Sequence, residues 1–255
     1  MGLRNFTRAI VALIVSGSPL AHAAQIKVIG GSAVTPAMAE LIPRFEQSSG
    51  HEVRTDFDGA IGAMTDRVRK GELADVVIVS GAQIDALIRE GKVVPGSRSN
   101  IVKVGVGVFV RRGAKKPDIS SVEAFKRVLS AAKSIGYNDP AAGAPVSLYL
   151  IELFDRLGMA AEMKPKTVVF KQRSERFEAV ARGDVEIGFN QISEIVAAPG
   201  VDLVGPLPAA IQRYTLFSSG IVANGREQAA GRGFVAFISS PQASAVWQSK
   251  GFEAP

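Results

Sequence analysis

The sequence contains no cysteine. That excludes a disulfide framework and a lipid-modified cysteine anchor, and it removes thiolate from the available metal ligands. Histidine is nearly as scarce, with two in 255 residues. His22 falls in an N-terminal leader, so a Cys/His zinc centre is excluded and a Ser-His-Asp triad would have to use His51. His51 follows Gln47-Ser48-Ser49-Gly50, a polar stretch that reads as a solvated turn. Tryptophan occurs once and tyrosine three times. The aromatics do not interleave with basic clusters, as a nucleic-acid platform would require. There is no Walker loop, and Gly105-Val106-Gly107 lacks the third glycine and following helix of a dinucleotide fingerprint. No run beyond the leader has the apolar length of a membrane span. The expectation is a monomer with no cofactor, no metal, no nucleic-acid partner and no membrane anchor.

What is present begins with a secretory signal over residues 1–23. Arg4 and Arg8 give a positive start, residues 9–15 (AIVALIV) an apolar run, and Ala21-His22-Ala23 a small-x-small cleavage site. This order predicts export to the periplasm and a mature start at Ala24. The rest is long enough to bury two medium cores, in keeping with 47% apolar residues. A formal net charge of +6 suits steering of small anions.

Short β-rich runs alternate with amphipathic helical segments. Strands are expected over residues 25–29, 53–57, 75–79, 101–110, 135–138, 167–170, 186–189 and 214–222. Helices are expected from Thr35-Pro36, with a hydroxyl cap and a kink or break at Pro43, and over 63–70, 83–90, 145–157, 175–181, 191–196, 228–239 and 241–251. Ser120-Ser121-Val122-Glu123 is a capping box opening a further helix. This alternation predicts an α/β protein of two lobes, each a mainly parallel open sheet flanked by helices, with a ligand cleft between them. Lobe one would comprise residues 24–100 and 223–255, and lobe two residues 106–213. Residues 101–105 and 214–222 would be paired crossing strands.

Four strand-to-helix turns are rich in glycine, alanine and hydroxyls: residues 30–35, 58–62, 143–147 and 189–193. In open sheets ligands sit beyond the carboxyl ends of the strands, where helix N-termini offer free N–H groups to anions. Two such turns in each lobe point to an anion site in the cleft. The candidate ligand contacts are Ser32, Ala33, Thr35, Ala60, Gly62, Val146, Ser147, Asn190, Gln191, Tyr214 and Thr215.

Several segments carry a resemblance. They are Ile26-Lys-Val-Ile-Gly-Gly-Ser-Ala-Val-Thr-Pro-Ala-Met38, Gly71-Glu-Leu-Ala-Asp-Val-Val-Ile78, Asp139-Pro140, Pro145-Val-Ser-Leu-Tyr149 and Gly183-Asp-Val-Glu-Ile-Gly188. Through them the chain resembles the molybdate-type periplasmic binding proteins of ABC importers. The resemblance implies the type II periplasmic-binding fold, a small anionic ligand and importer membrane subunits as partners. That family holds its oxyanion with two serine hydroxyls, a tyrosine hydroxyl and backbone N–H groups. The first serine falls on Ser32 or Ala33. The second falls within residues 60–62, which have no hydroxyl. The backbone donors fall near Val146 and Asn190, and the tyrosine corresponds to Tyr214. Lys116-Pro-Asp-Ile-Ser-Ser-Val-Glu123, Gln191-Ile-Ser-Glu194, Pro199-Gly-Val-Asp-Leu-Val-Gly205 and Tyr214-Thr-Leu-Phe217 carry a looser resemblance, to a subgroup with organic-acid ligands and to the bacterial aconitate isomerases.

Two functions follow. In the first, the protein captures a small anion for an importer, and the site needs converging donors but no base. The missing serine hydroxyl, together with an inward-facing Asp58, would favour a small organic acid over molybdate. In the second, the protein is an isomerase moving a double bond in a small tricarboxylate. Asp58, Asp139 and Glu194 are then the candidate bases, and Arg173 and Arg176 the partners for substrate carboxylates.

Overall fold

The computed structural model describes residues 23–255, so the leader lies, except for Ala23, outside the described residues. β1 (Gln25–Gly30) opens the fold and pairs in parallel with β2 (Glu52–Asp56) and β3 (Val76–Ser80). The connections are α1 (Thr35–Ser49) and α2 (Ile61–Arg69). After β3 come α3 (Gly81–Arg89) and the long β4 (Ser99–Arg111). The next layer is built from α4 (Val122–Ala131), β5 (Ile135–Asn138), α5 (Pro145–Arg156), the short α6 (Ala160–Met163), β6 (Thr167–Phe170) and α7 (Arg173–Arg182). β7 (Ile187–Gln191), α8 (Ile192–Ala197), β8 (Val201–Pro206) and β9 (Tyr214–Ile221) lead to the closing helices α9 (Gln228–Ile238) and α10 (Pro241–Ser249).

The strands run in the order β2-β1-β3-β9-β4-β7-β5-β6, with β8 also on β4. Pairing is parallel towards each outer edge and antiparallel where β9 and β4 join the two halves. β4 pairs with β9 through Ser99 to Gly105, and with β7 and β8 from Val106 onward. At the changeover, the Gln212 amide receives the Val106 N–H at 3.0 Å and donates to the Val106 carbonyl at 3.0 Å. One hydrophobic core gathers Ile26, Leu41, Ile78, Val104, Phe217, Phe234 and Trp247; another gathers Val106, Phe125, Leu150, Phe154 and Phe189. A smaller cluster of Phe109, Phe177, Val180 and Ile195 lies under α7 and α8. Each half is thus an α/β layer with its own interior, which is the two-lobed architecture expected.

The details depart from expectation in four places. α1 continues through Pro43 to Ser49 without breaking. A proline removes one hydrogen bond, whereas buried Leu41 and Phe45 on either side hold the helix against the core. The α1 cap is Val34 rather than a hydroxyl, because a 3-10 turn over Ser32–Val34 intervenes. β8 and α6 are additional elements. His51 is half-buried rather than solvated: its Nδ1 accepts the Ala24 N–H at 3.1 Å, and its ring lies beside Phe45. Among the described residues no helix is long and apolar enough to cross a membrane.

Candidate functional site

The turn after β1 begins at Gly31, where a Cβ would lie 2.8 Å from the Ile61 side chain. Glycine there lets the first two turns of lobe one approach each other. The Ser32 N–H then donates to the Gly59 carbonyl at 3.0 Å and ties those turns together. Facing them across the cleft, Gly143 adopts a φ of 69° at the end of a short 3-10 turn and feeds α5. Pro145 is the first residue of α5, and the first intrahelical donor is Leu148, to Ala144 at 3.2 Å. The N–H groups of Val146 and Ser147 therefore belong to the open first turn of this helix.

These turns enclose a cavity of about 30 Å³, room for about two waters. Its polar wall is formed by Ser32, Asn138, Ser147, Arg176, Asn190, Gln191 and Glu194, and its remaining lining includes Ala33, Ala60, Ile61 and Val146. Ser147 Oγ, Asn190 Nδ2 and Gln191 Nε2 are buried without a hydrogen-bond partner among the described residues. Such groups are costly inside a protein unless something polar meets them, by about 1–3 kcal/mol each. Arg176 is 1% exposed. One of its Nη atoms donates to Asn138 Oδ1, and its guanidinium lies 4.8 Å from the Phe177 ring centroid. Glu194 is 4% exposed and accepts the Ser32 hydroxyl proton at 2.8 Å across the cleft. Ser193 Oγ makes a second cross-cleft bond, donating to the Ala33 carbonyl at 3.0 Å.

Of the candidate residues, Ser32, Ala33, Ala60, Val146, Ser147, Asn190, Gln191 and Glu194 meet in this cavity, and Thr35, Gly62, Tyr214, Thr215, Asp58 and Asp139 do not line it. Thr35 is carried away by the intervening 3-10 turn, and Ile61 forms the wall instead of Gly62. Tyr214 and Thr215 line a larger neighbouring cavity of about 440 Å³, with Arg98 and Arg213. The Tyr214 side chain is 44% exposed; partial desolvation and the adjacent Glu253 push its hydroxyl above the ordinary tyrosine pKa. Asp58 is exposed, so the repulsion of dianions expected from it does not operate. Asp139 caps a turn by accepting the Ala141 N–H at 2.9 Å. Asn138 was absent from the expected set, and Arg176 entered only as an isomerase carboxylate partner. Its signal was periodic: Arg176 lies four residues before buried Val180, on one face of α7.

A protein built this way is similar to known ones. Residues 26–253 match the family model described as bacterial extracellular solute-binding protein. An aconitate isomerase from a Pseudomonas species is 31% identical, over 97% of this chain and 95% of the relative. The molybdate-binding protein ModA of Azotobacter vinelandii is 25% identical, over 97% of this chain and 98% of the relative. The solved structure of an Azotobacter vinelandii periplasmic molybdate-binding protein superposes with a TM-score of 0.75 at 20% identity, covering 90% of this chain and 99% of that one. With the two-lobed fold, the polar cleft and a match spanning nearly every described residue, the chain belongs to the bacterial extracellular solute-binding protein family.

Proposed function

We propose that the protein is exported by its leader to the periplasm, captures a small carboxylate anion between its lobes and presents it to the membrane subunits of an ABC importer. Residues 101–105 and 214–222 are the hinge in this reading, and the two lobes close on the ligand. The observation that carries it is the buried Arg176 guanidinium in the cleft, which lines the same cavity as the donors of Ser147, Asn190 and Gln191. A guanidinium fork matches a carboxylate with two parallel hydrogen bonds. The family's second serine hydroxyl, which a tetrahedral oxyanion would use, has no counterpart at Ala60 and Ile61. The 31% identical relative is named for aconitate, a tricarboxylate.

One observation favours a second reading on the same site. Glu194 brings a buried carboxylate into the cavity that holds Arg176. With the substrate's carboxylates held by Arg176, Glu194 would take a proton from one end of an allylic system and return it to the other, shifting the double bond. A single panel separates the readings. Small di- and tricarboxylates are expected to raise the melting temperature, because a ligand bound only by the folded state stabilises it. Molybdate and sulfate are expected to leave it unchanged, and the reverse pattern would overturn the carboxylate assignment. Chromatography of the cis- and trans-aconitate samples from the same panel shows whether they are returned intact, as capture requires, or interconverted, as isomerisation requires.

A further inference from the structure

The geometry points to a cleft of two chambers: the small polar cavity seats one carboxylate, and the larger neighbouring cavity seats the rest of an extended polycarboxylate, whose second charged end meets Arg213. This rests on the anion-capture reading and gives the captured anion a length and a charge distribution. Volume is the first ground. The inner cavity, of about 30 Å³, holds about two waters, which is the bulk of a single carboxylate group. Ser147 Oγ, Asn190 Nδ2 and Gln191 Nε2 lie there without a partner among the described residues, on side chains no more than 5% exposed. They suit one end of a ligand, and no space remains for a second carboxylate beside it. Ile61 and Pro145 line both this cavity and the one of about 440 Å³, so the two adjoin. The larger cavity also lies between the lobes, with Gln83 from α3, Tyr149 from α5 and Thr215 from β9 in its walls.

Charge is the second ground. Arg98 lines the larger cavity, but its Nη1 donates to both oxygens of Asp85, and its Nε and Nη2 donate to Asn100 Oδ1. Glu152, also in the lining, faces Arg156 at 3.5 Å. Each of these charges already has its opposite. Arg213 makes no ion pair or side-chain hydrogen bond among the described residues; its guanidinium lies 5.5 Å from the Tyr149 ring centroid. That ring is a fixed platform, because Tyr149 is buried and its hydroxyl donates to the Ile211 carbonyl. A guanidinium over an aromatic face keeps the N–H donors of its edge for an anion. A polycarboxylate with one end among Ser147, Asn190 and Gln191 passes Ile61 and Pro145 and enters the cavity that Arg213 lines. A monocarboxylate or a compact oxyanion fills the inner chamber alone and gains nothing from Arg213.

Pentanoate, glutarate and tricarballylate share a five-carbon chain and carry one, two and three carboxylates. Titration calorimetry at fixed ionic strength is run with these three on the wild type, on Arg213→Gln and on Lys126→Gln, which removes one exposed positive charge from α4, outside the cleft lining. The wild type is expected to bind glutarate and tricarballylate more tightly than pentanoate. Arg213→Gln is expected to weaken both polycarboxylates by at least about threefold without weakening pentanoate, and Lys126→Gln to leave all three as in the wild type. Equal affinity of the wild type for the three anions would overturn the second chamber while leaving capture standing. So would polycarboxylate affinity that is unchanged in Arg213→Gln, or reduced as much in Lys126→Gln. If none of the three binds to the wild type, the capture reading fails and the second chamber with it.

Discussion

Arg67 organises the charged side chains behind the second turn of the site. Its guanidinium meets Glu72 through Nε at 2.6 Å and Asp56 through Nη2 at 2.6 Å, while Lys27 meets Glu72 at 3.0 Å. The Arg67 hydrogen bond is the main reason that Glu72 is lowered to about 2, with Lys27 adding to it; Arg67 likewise lowers Asp56. Both carboxylates are held below their ordinary values, so their contribution to stability is complete above the ordinary carboxylate range. It is lost as the pH falls through that range towards 2. All three side chains are about one-third exposed, and solvent screening reduces what the network is worth. Arg67→Ala is expected to cost about 1–2 kcal/mol at neutral pH. The gap between wild type and variant should narrow in thermal melts as the pH is lowered. A gap that stays constant down to the acid limit would show that the network contributes nothing.

At the scale of elements, the position of Arg176 follows from one glycine in a neighbouring strand. Gly188 on β7 pairs in register with Phe109 on β4, and a Cβ on Gly188 would lie 2.1 Å from the Phe109 ring. Phe109 packs 4.9 Å from Phe177, the neighbour of Arg176 on α7. Gly188→Ala is expected to push Phe109 off its rotamer and destabilise the protein by about 1–3 kcal/mol, with weaker anion binding as α7 shifts. Unchanged melting and affinity would show that the ring moves aside freely. Elements of this kind were only partly legible in the sequence. The Ser121 cap was readable because it is local: its hydroxyl accepts the Ala124 N–H at 3.1 Å. The break that Pro43 signals does not occur, because its penalty is local while the burial of Leu41 and Phe45 that outweighs it is tertiary. β8 escaped notice since Val201-Asp202-Leu203-Val204 is short and bounded by proline and glycine on both sides.

Over the whole molecule, strand-helix alternation and the two long β-rich runs made the two-lobed α/β fold readable. The site was readable only as a set of turns. Its decisive contacts join residues far apart in sequence: Ser32 and Glu194 are 162 positions apart, and Asn138 and Arg176 are 38 apart. Local patterns carry no information about which of several polar residues meet across a cleft, so Asp58, Tyr214 and Thr215 looked as eligible as Ser147. The central claim is that the cleft binds a small carboxylate anion through Arg176. Calorimetric titration of tricarballylate, citrate and molybdate into wild type and Arg176→Gln tests it most directly. The account predicts saturable binding of at least one carboxylate by the wild type, and a loss of at least about hundredfold in the variant. Molybdate binding without any carboxylate binding, or carboxylate affinity unchanged in Arg176→Gln, would contradict it.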